Sequence, residues 1–337
     1  MDVLVCGAQS PFVTGGAELA TRNLVRALQD EGHRADLVQL PVAWEKDRIF
    51  DSALAWRMIP ADADLVIATN FPSYYIRHER KIVWLFHQHR GAYDAVDAAW
   101  SDFGPDDPSV EVQRQLTEWD RIALGEARRI YTLSDNVSDR LTRFNGLHGQ
   151  ALYHPPPLHD ALRPGEFGDY IFAPMRLESN KRPDRLVSAI VAATSGARGI
   201  IAGRGGMADE LRAQAAAGGA ADRLTLTGFV SDGELIELFA GALAVLYAPH
   251  DEDYGYVTLQ AFRAGKPVIT ASDSGGVLEW VQDGVNGIIT DGSPEQLGAA
   301  VDRLRADPDL ARAMGEQGRR RVADLEWTSV VRALLAP

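Results

Sequence analysis

His154-Pro155-Pro156-Pro157 is the stretch that most limits what this chain can fold into. Proline fixes φ, carries no N–H and is excluded from helix interiors and central strands, so three in succession end any regular element before them. On both sides of this break, short apolar runs alternate with helical patterns. Before it, Val3–Gly7, Arg34–Leu40, Asp64–Asn70, Lys81–His87 and Arg129–Ser134 read as strands, and Glu18–Glu31 as a helix. A loop with Pro164, Gly165 and Gly168 follows the break, and the alternation restarts. Strands are expected at Tyr170–Pro174, Gly199–Gly203, Leu224–Thr227, Ala244–Ala248, Pro267–Ala271 and Gly287–Thr290. Helices are expected at Pro183–Ala193, Ala208–Ala217, Asp232–Ala242, Tyr256–Ala264, Val277–Asp283, Pro294–Ala306, Leu310–Leu325 and Ser329–Leu335.

Alternation of this kind predicts α/β architecture with parallel sheets covered on both faces. The 337 residues exceed what one core usually serves. Two doubly wound, Rossmann-like domains are therefore expected: 1–155, and 168–325 beyond the proline loop. A last helix at 326–337 is expected to pack back towards the first domain. Ligands of doubly wound sheets bind outside the carboxyl ends of the strands, at the switch point of the strand order. Two such edges are expected to face each other across an interdomain cleft.

The net charge of −13 argues against a sequence-independent nucleic-acid role, because an acidic surface repels the phosphate backbone. Cys6, the single cysteine, lies in an apolar run and reads as core; alone it makes no internal disulfide, which fits a reducing compartment. The chain enters a strand pattern at once, without the basic start and apolar stretch of a signal peptide. No apolar run approaches the ~20 residues needed to span a bilayer. A cytoplasmic location is expected, with peripheral contact at the inner membrane surface left open.

Three segments carry chemistry. Thr14-Gly15-Gly16-Ala17-Glu18 follows the first strand and opens the first helix. Paired glycines allow close backbone approach to a bulky anion, and a helix N-terminus presents free N–H groups to it. In the second domain, Arg176 and Lys181 bracket a loop at the carboxyl end of the first strand, where two cations suit a diphosphate leaving group. The third segment, Ala248-Pro249-His250-Asp251-Glu252-Asp253-Tyr254-Gly255-Tyr256-Val257-Thr258-Leu259-Gln260-Ala261, follows a buried apolar strand and precedes Gly265-Lys266-Pro267-Val268-Ile269 and Ser272-Asp273-Ser274-Gly275-Gly276. Glu252 falls in the loop, and the amides of Tyr256 and Val257 start a helix.

With this third segment the chain resembles the family 4 glycosyltransferases, whose donor site carries a Glu, seven residues and a second Glu. The resemblance implies the GT-B fold, a nucleotide-diphosphate sugar donor and retention of the anomeric configuration. It implies that Glu252 accepts hydrogen bonds from sugar hydroxyls and that Asp253, Tyr254, Gly255, Tyr256 and Val257 line the donor. Arg176 and Lys181 match the diphosphate pair, Gly15 and Gly16 the N-terminal donor loop, and Thr227-Gly228-Phe229-Val230 the base segment, which implicates Phe229 and Val230. Trp84-Leu85-Phe86-His87 matches the strand ending in the cleft histidine, so His87 is expected to hydrogen-bond the donor sugar or the acceptor. His89, Arg90 and Tyr93 are expected on the acceptor side. The chain departs from the pattern at Gln260, which replaces the second Glu; an amide still makes hydrogen bonds but offers no charged acceptor, so the ribose contact is expected to weaken.

The other nucleotide readings fail on residues. The first loop does not space its glycines as a dinucleotide-binding turn, and Val38-Gln39-Leu40 closes the second strand without a carboxylate. Gly265-Lys266 lacks the upstream glycine and following Ser or Thr of a P-loop. His87 and His89 have no third ligand at a metal spacing. The acidic triplets Asp62-Ala63-Asp64 and Asp251-Glu252-Asp253 are read as chance and as part of the donor motif, so metal-independent transfer with no cofactor is expected. Arg90–Arg129, where family acceptor sites form, holds Trp100 and Trp119, both read as core. The expected activity is hexosyl transfer from a UDP- or GDP-sugar to a saccharide, glycolipid or other small acceptor, in polysaccharide or glycoconjugate synthesis. The alternative is a weak or inactive nucleotide-sugar-binding protein of the same fold.

Overall fold

The computed structural model describes residues 1–12, 15–98 and 101–336. Residue contacts divide the chain into two compact units: Met1–His154 with Glu326–Pro337, and Pro155–Leu325.

The first unit runs β1 (Asp2–Gln9), α1 (Gly16–Asp30), β2 (Arg34–Pro41), α2 (Ile49–Arg57), β3 (Leu65–Ala68), β4 (Lys81–Leu85), α3 (Asp107–Gly125), β5 (Arg129–Thr132), α4 (Asp135–Asn145) and β6 (Gln150–Ala151). Its six strands pair in parallel in the order β2-β1-β3-β4-β5-β6. β3 and β4 are buried at every position because helices cover both faces of the sheet. Helix ends follow local chemistry: Asp106 caps α3 by accepting from Ser109 N at 2.9 Å, and Ser134 caps α4 by accepting from Val137 N at 3.1 Å. Cys6 is fully buried, and burial pushes its thiol pKa up.

Two buried charges tie this unit together. Lys81 is fully buried, and its Nζ donates to the carbonyls of Tyr74, Ile76 and Ala123 at 3.0, 3.1 and 2.8 Å and to Glu126 at 2.9 Å. Asp120 is also fully buried and accepts one 2.6 Å hydrogen bond at each oxygen, from the phenols of Tyr75 and Tyr93. Asn145 then donates to the Tyr93 hydroxyl at 3.2 Å and accepts from Gln88 at 3.1 Å. The loop after β4 is thereby fastened to α3 and α4.

The second unit runs β7 (Tyr170–Pro174), α5 (Asp184–Ala192), β8 (Arg198–Ala202), α6 (Ala208–Ala217), β9 (Leu224–Gly228), α7 (Asp232–Ala240), β10 (Ala244–Leu246), α8 (Tyr256–Arg263), β11 (Val268–Ala271), β12 (Gly287–Thr290), α9 (Pro294–Ala306) and α10 (Pro308–Arg321). Its parallel strand order is β12-β11-β10-β7-β8-β9. The segment behind the prolines is held by Lys266, which is buried. Its Nζ donates to the carbonyls of Gly165 and Glu166 at 2.9 and 3.3 Å and lies 3.6 Å from the centre of the Phe167 ring. Burial lowers its pKa to about 8.

The helix expected at Val277–Asp283 is a correction: only the 3-10 turn Gly276–Glu279 forms. The Asn286 side chain accepts from Gln282 N at 2.7 Å and donates to Trp280 O at 2.9 Å, meeting backbone groups that a longer helix would have paired. α11 (Trp327–Leu335) belongs to the first unit, with Trp327 edge-on to Trp84 at 6.2 Å and tilted on His154 at 5.1 Å. Tyr131 OH and Arg129 donate to the carbonyls of Ala333 and Ala336, both at 3.0 Å. Among the described residues no helix is long and apolar enough to cross a membrane.

Burial pushes the Asp120 carboxyl up to about 7, against the phenols that donate to it. A raised folded pKa contributes stability that is full below the unfolded value near ~3.9 and is lost as pH rises through about 7. Asp120→Asn removes this titration. Urea unfolding between about pH 4.5 and 8 should therefore give a flatter stability profile for the variant than for the parent. Parallel profiles would mean that Asp120 remains ionised throughout that range.

Candidate functional site

In the second unit the chain lays β7, β8 and β9 to one side and β10, β11 and β12 to the other, so the strand order reverses between β7 and β10. That gap is where an open parallel sheet leaves room for a ligand at its carboxyl edge. The β7 exit carries Arg176 and Lys181; the β10 exit carries Glu252 and leads into α8.

Backbone hydrogen bonds stitch these exits together. His250 N donates to Asn180 O at 3.2 Å, Asp251 N to Asp273 O at 2.9 Å and Glu252 N to Ser274 O at 3.2 Å. Gly276 N donates back to Glu252 O at 2.7 Å, so Glu252 and Gly275 form an isolated parallel bridge. A side chain at 276 would lie 2.6 Å from the Asp253 carbonyl, which is why the Gly-Gly pair stands there. Asp251, beside Glu252, takes a positive φ of 44°, a conformation tolerated by Asp more readily than by bulkier residues.

The side chains converge on the same point. Lys181 forms an ion pair with Glu252, each side chain 18% exposed. Tyr247, at the end of β10, is fully buried and hydrogen-bonds Glu252; burial first, then the Glu252 charge, pushes its phenol pKa well up, and the Arg176 guanidinium works the other way. Arg182, in a left-handed conformation, grips Asp273 with two hydrogen bonds at 2.9 and 2.8 Å and lies 3.2 Å from the His250 ring. Arg182 is thus committed to the protein. Arg176 is exposed, and no carboxylate among the described residues pairs with it.

α8 starts at Gly255, which has φ 85° and ψ 56° and whose added Cβ would meet Val277 at 2.8 Å. Only glycine meets both demands. The amides of Tyr256 and Val257 follow at the helix N-terminus, where N–H groups have no intrahelical acceptor and the helix dipole favours an anion. Tyr254 is buried, packed edge-on to Tyr256 and Trp280 at 5.5 and 6.0 Å, while Asp253 is half-buried. Two cations, one helix N-terminus and one carboxylate at a parallel-sheet switch point are chemically suited to a phosphorylated, hydroxyl-bearing ligand.

Gln260 lies one turn into α8 and is 8% exposed. Its Nε2 donates to the Pro157 carbonyl at 3.2 Å. The amide at this position therefore fastens the proline segment to α8, a contact that a carboxylate cannot make. Phe229 and Val230 follow β9, and the Phe229 ring is 72% exposed with the Arg204 guanidinium 5.6 Å from its centre.

In the first unit, Gly15 caps α1 and donates its N–H to Glu18 at 2.9 Å, which leaves the Gly16 amide at the first helical position; Thr14 and Trp100 lie outside the described residues. His87 follows β4, half-buried, with Nδ1 2.9 Å from Gln88 O. His89 is 6% exposed, enclosed by Trp44, Phe71 and Phe103, and burial lowers its pKa. Arg90 pairs with Asp94, which also holds Arg140 at 3.0 Å. Tyr93 is 3% exposed and bound to Asp120. His89 and Tyr93 belong to the loop after β4 and are buried there, bonded to Trp44 and Asp120. Trp119 is half-buried against Phe50 at 4.7 Å. Among the described residues no three His, Cys, Asp or Glu side chains group as a metal site.

Sequence reasoning missed Tyr247, Arg182 and Arg204. Arg204 had a signal: Gly203-Arg204-Gly205-Gly206 follows a strand just as Gly15-Gly16 does. Tyr247 had none, because a tyrosine ending an apolar strand reads as core. Gln260→Glu is expected to lower stability by about 1–3 kcal/mol through loss of the donor to Pro157. The loss should be larger near pH 8 than near pH 5, because a carboxyl held against a carbonyl is tolerated protonated and opposed when ionised. Chemical denaturation at the two pH values checks this; an unchanged midpoint at both would mean that Pro157 releases the side chain freely.

Residues 160–321 match the family model described as Glycosyl transferases group 1. The chain is 37% identical over 171 residues to the GDP-mannose-dependent alpha-(1-6)-phosphatidylinositol monomannoside mannosyltransferase of Mycobacterium tuberculosis, a match covering 47% of this chain and 44% of that protein. It is 31% identical over 169 residues to the D-inositol 3-phosphate glycosyltransferase of Segniliparus rotundus, covering 48% of this chain and 37% of that protein. The matched stretch thus spans less than half the length of either relative. Among solved structures, sucrose-phosphate synthase from Thermosynechococcus elongatus superposes with a TM-score of 0.78 at 17% identity, covering 99% of this chain and 97% of that one. Anabaena Alr3699/HepE, solved with UDP and glucose, gives 0.74 at 16% identity, covering 99% and 98%. The two parallel six-stranded sheets are the GT-B fold.

Proposed function

We propose that this chain, whose residues 160–321 match the group 1 glycosyl transferases, is a retaining, metal-independent glycosyltransferase of the family 4 type that uses a nucleotide-diphosphate sugar. The observation that carries the reading is the placement of Arg176 and the Lys181–Glu252 ion pair at the adjacent exits of β7 and β10, where the second sheet reverses its strand order and the chain leads into α8.

Each group has a role in this reading. The amides of Tyr256 and Val257 hold the diphosphate, and Arg176 and Lys181 neutralise the charge that builds as it leaves. Glu252 accepts hydrogen bonds from the sugar hydroxyls, held in place by Tyr247 and by the backbone bridge to Gly275. The acceptor hydroxyl attacks the anomeric carbon on the face from which the phosphate departs. A phosphate oxygen takes its proton, so no enzymic nucleophile is required. Positive charge comes from the two side chains and the helix, which supports transfer without a divalent ion. The named activities of the mycobacterial and Segniliparus relatives favour an inositol-based or glycolipid acceptor.

Gln260 supports a second reading, a donor-binding protein without turnover, since its amide is occupied by Pro157. One experiment separates the two. Release of UDP or GDP from a panel of UDP- and GDP-sugars should be detectable for the parent and unaffected by chelator. In Arg176→Ala it should fall about 10²–10³-fold, the size of losing one group that stabilises developing charge. Turnover in Arg176→Ala close to the parent's would refute this assignment, and nucleotide binding with no turnover in the parent would favour the second reading.

A further inference from the structure

Arg204 is a cation with no carboxylate partner among the described residues. Its carbonyl accepts from Leu177 N at 2.9 Å, and Met207 N donates to Leu177 O at 3.2 Å, so the backbone of the loop after β8 is pinned to the exit of β7. Gly203 and Gly205 flank it with φ of 151° and 158°, and a Cβ at either position would collide with the Met175 or Leu177 carbonyl. The loop therefore presents one long side chain, between two positions that accept none. Its guanidinium is exposed, lies 5.6 Å from the centre of the Phe229 ring and pairs with no carboxylate among the described residues. Phe229 is itself 72% exposed, projecting beyond Gly228, whose φ is 72°.

The position of this pair matters as much as its chemistry. β7, β8 and β9 are successive neighbours in the sheet, so the exit of β9 lies about 10 Å along the carboxyl edge from that of β7. Arg176 and the α8 N-terminus stand at the β7–β10 gap; Arg204 and Phe229 stand at the β8 and β9 exits. The offset suits a ribose with its phosphates, phosphate end at the gap and base end over Phe229.

We infer that Arg204 selects a guanine base, so that the donor is a GDP-sugar. This rests on the function proposed above and specifies its substrate. A guanidinium donates two parallel N–H groups, and guanine presents two adjacent acceptors, O6 and N7, on one edge. Adenine offers N7 beside an amino donor on that edge, which opposes a guanidinium. Uracil sets its O4 acceptor beside an N–H donor and has no second adjacent acceptor. Phe229 supplies the flat face on which a base stacks, and a purine covers more of it than a pyrimidine does.

The test is calorimetric titration of the full chain with GDP, UDP, ADP and inorganic pyrophosphate. The parent is expected to bind GDP at least about tenfold more tightly than UDP or ADP. Arg204→Ala and Arg204→Lys should both erase that preference, the lysine keeping the charge but not the paired donors, while pyrophosphate binding stays unchanged. Both variants alter an exposed side chain, and an unchanged melting temperature confirms folding. Tighter binding of UDP or ADP by the parent would overturn the guanine assignment and leave the glycosyltransferase reading standing. Equal weakening of all four ligands in the variants would place Arg204 on the phosphates and likewise overturn it. No binding of any ligand would defeat both.

Discussion

A parallel strand covered on both faces has nowhere to display chemistry except its ends. This constraint governs both units. β3, β4, β10 and β11 are buried at every position, so polar function is driven to the loops at their carboxyl edges. In the second unit the reversal of strand order keeps the β7 and β10 exits adjacent while their following helices diverge. Loops from opposite halves of the second sheet, near residues 180 and 250, are thereby close enough to share backbone hydrogen bonds. Glu252 is held by main-chain bonds on each side as well as by its own side chain.

Burial of charge follows the same economy in both units. Lys81 and Lys266 are each removed from water, and each donates mainly to main-chain carbonyls, which are neutral acceptors at fixed positions, Lys81 adding the Glu126 carboxylate. A lysine used this way acts as a clasp between segments with no helix or sheet bonds in common. Lys81 joins the turn after β3 to α3, and Lys266 holds the segment behind the prolines. Asp120 is the counterpart of opposite sign, with phenols as its donors. These groups lie outside the proposed chemistry, yet they fix the loops that carry His87 and the path of the chain past Pro157.

The fold was legible because its signals are local and repeated. Apolar runs and helix patterns sufficed for the strands other than the two-residue β6, since each element's burial is written in its own few residues. The candidate site was legible where it depends on a linear motif: Glu252, Gly255 and the start of α8 form one contiguous stretch. Pairings across long sequence separations were not. Tyr247 is ordinary until Glu252 folds back beside it, and the link from Gln260 to Pro157 joins residues whose separation carries no period. The expected helix at 277–283 failed for the same reason: Asn286, beyond the expected span, satisfies backbone groups near its end.

The place of α11 bears on the order in which the chain is made. Trp84 and His154 complete their packing against Trp327, and Val330, Val331 and Leu334 are buried within the first unit. A ribosome delivers the whole of Pro155–Leu325 before that helix exists, a delay on the order of ten to thirty seconds at usual synthesis rates. Through that interval the first unit waits with an apolar groove bare, while the second unit has all its own residues in hand. The later-made unit is thus the first to have its full set of residues.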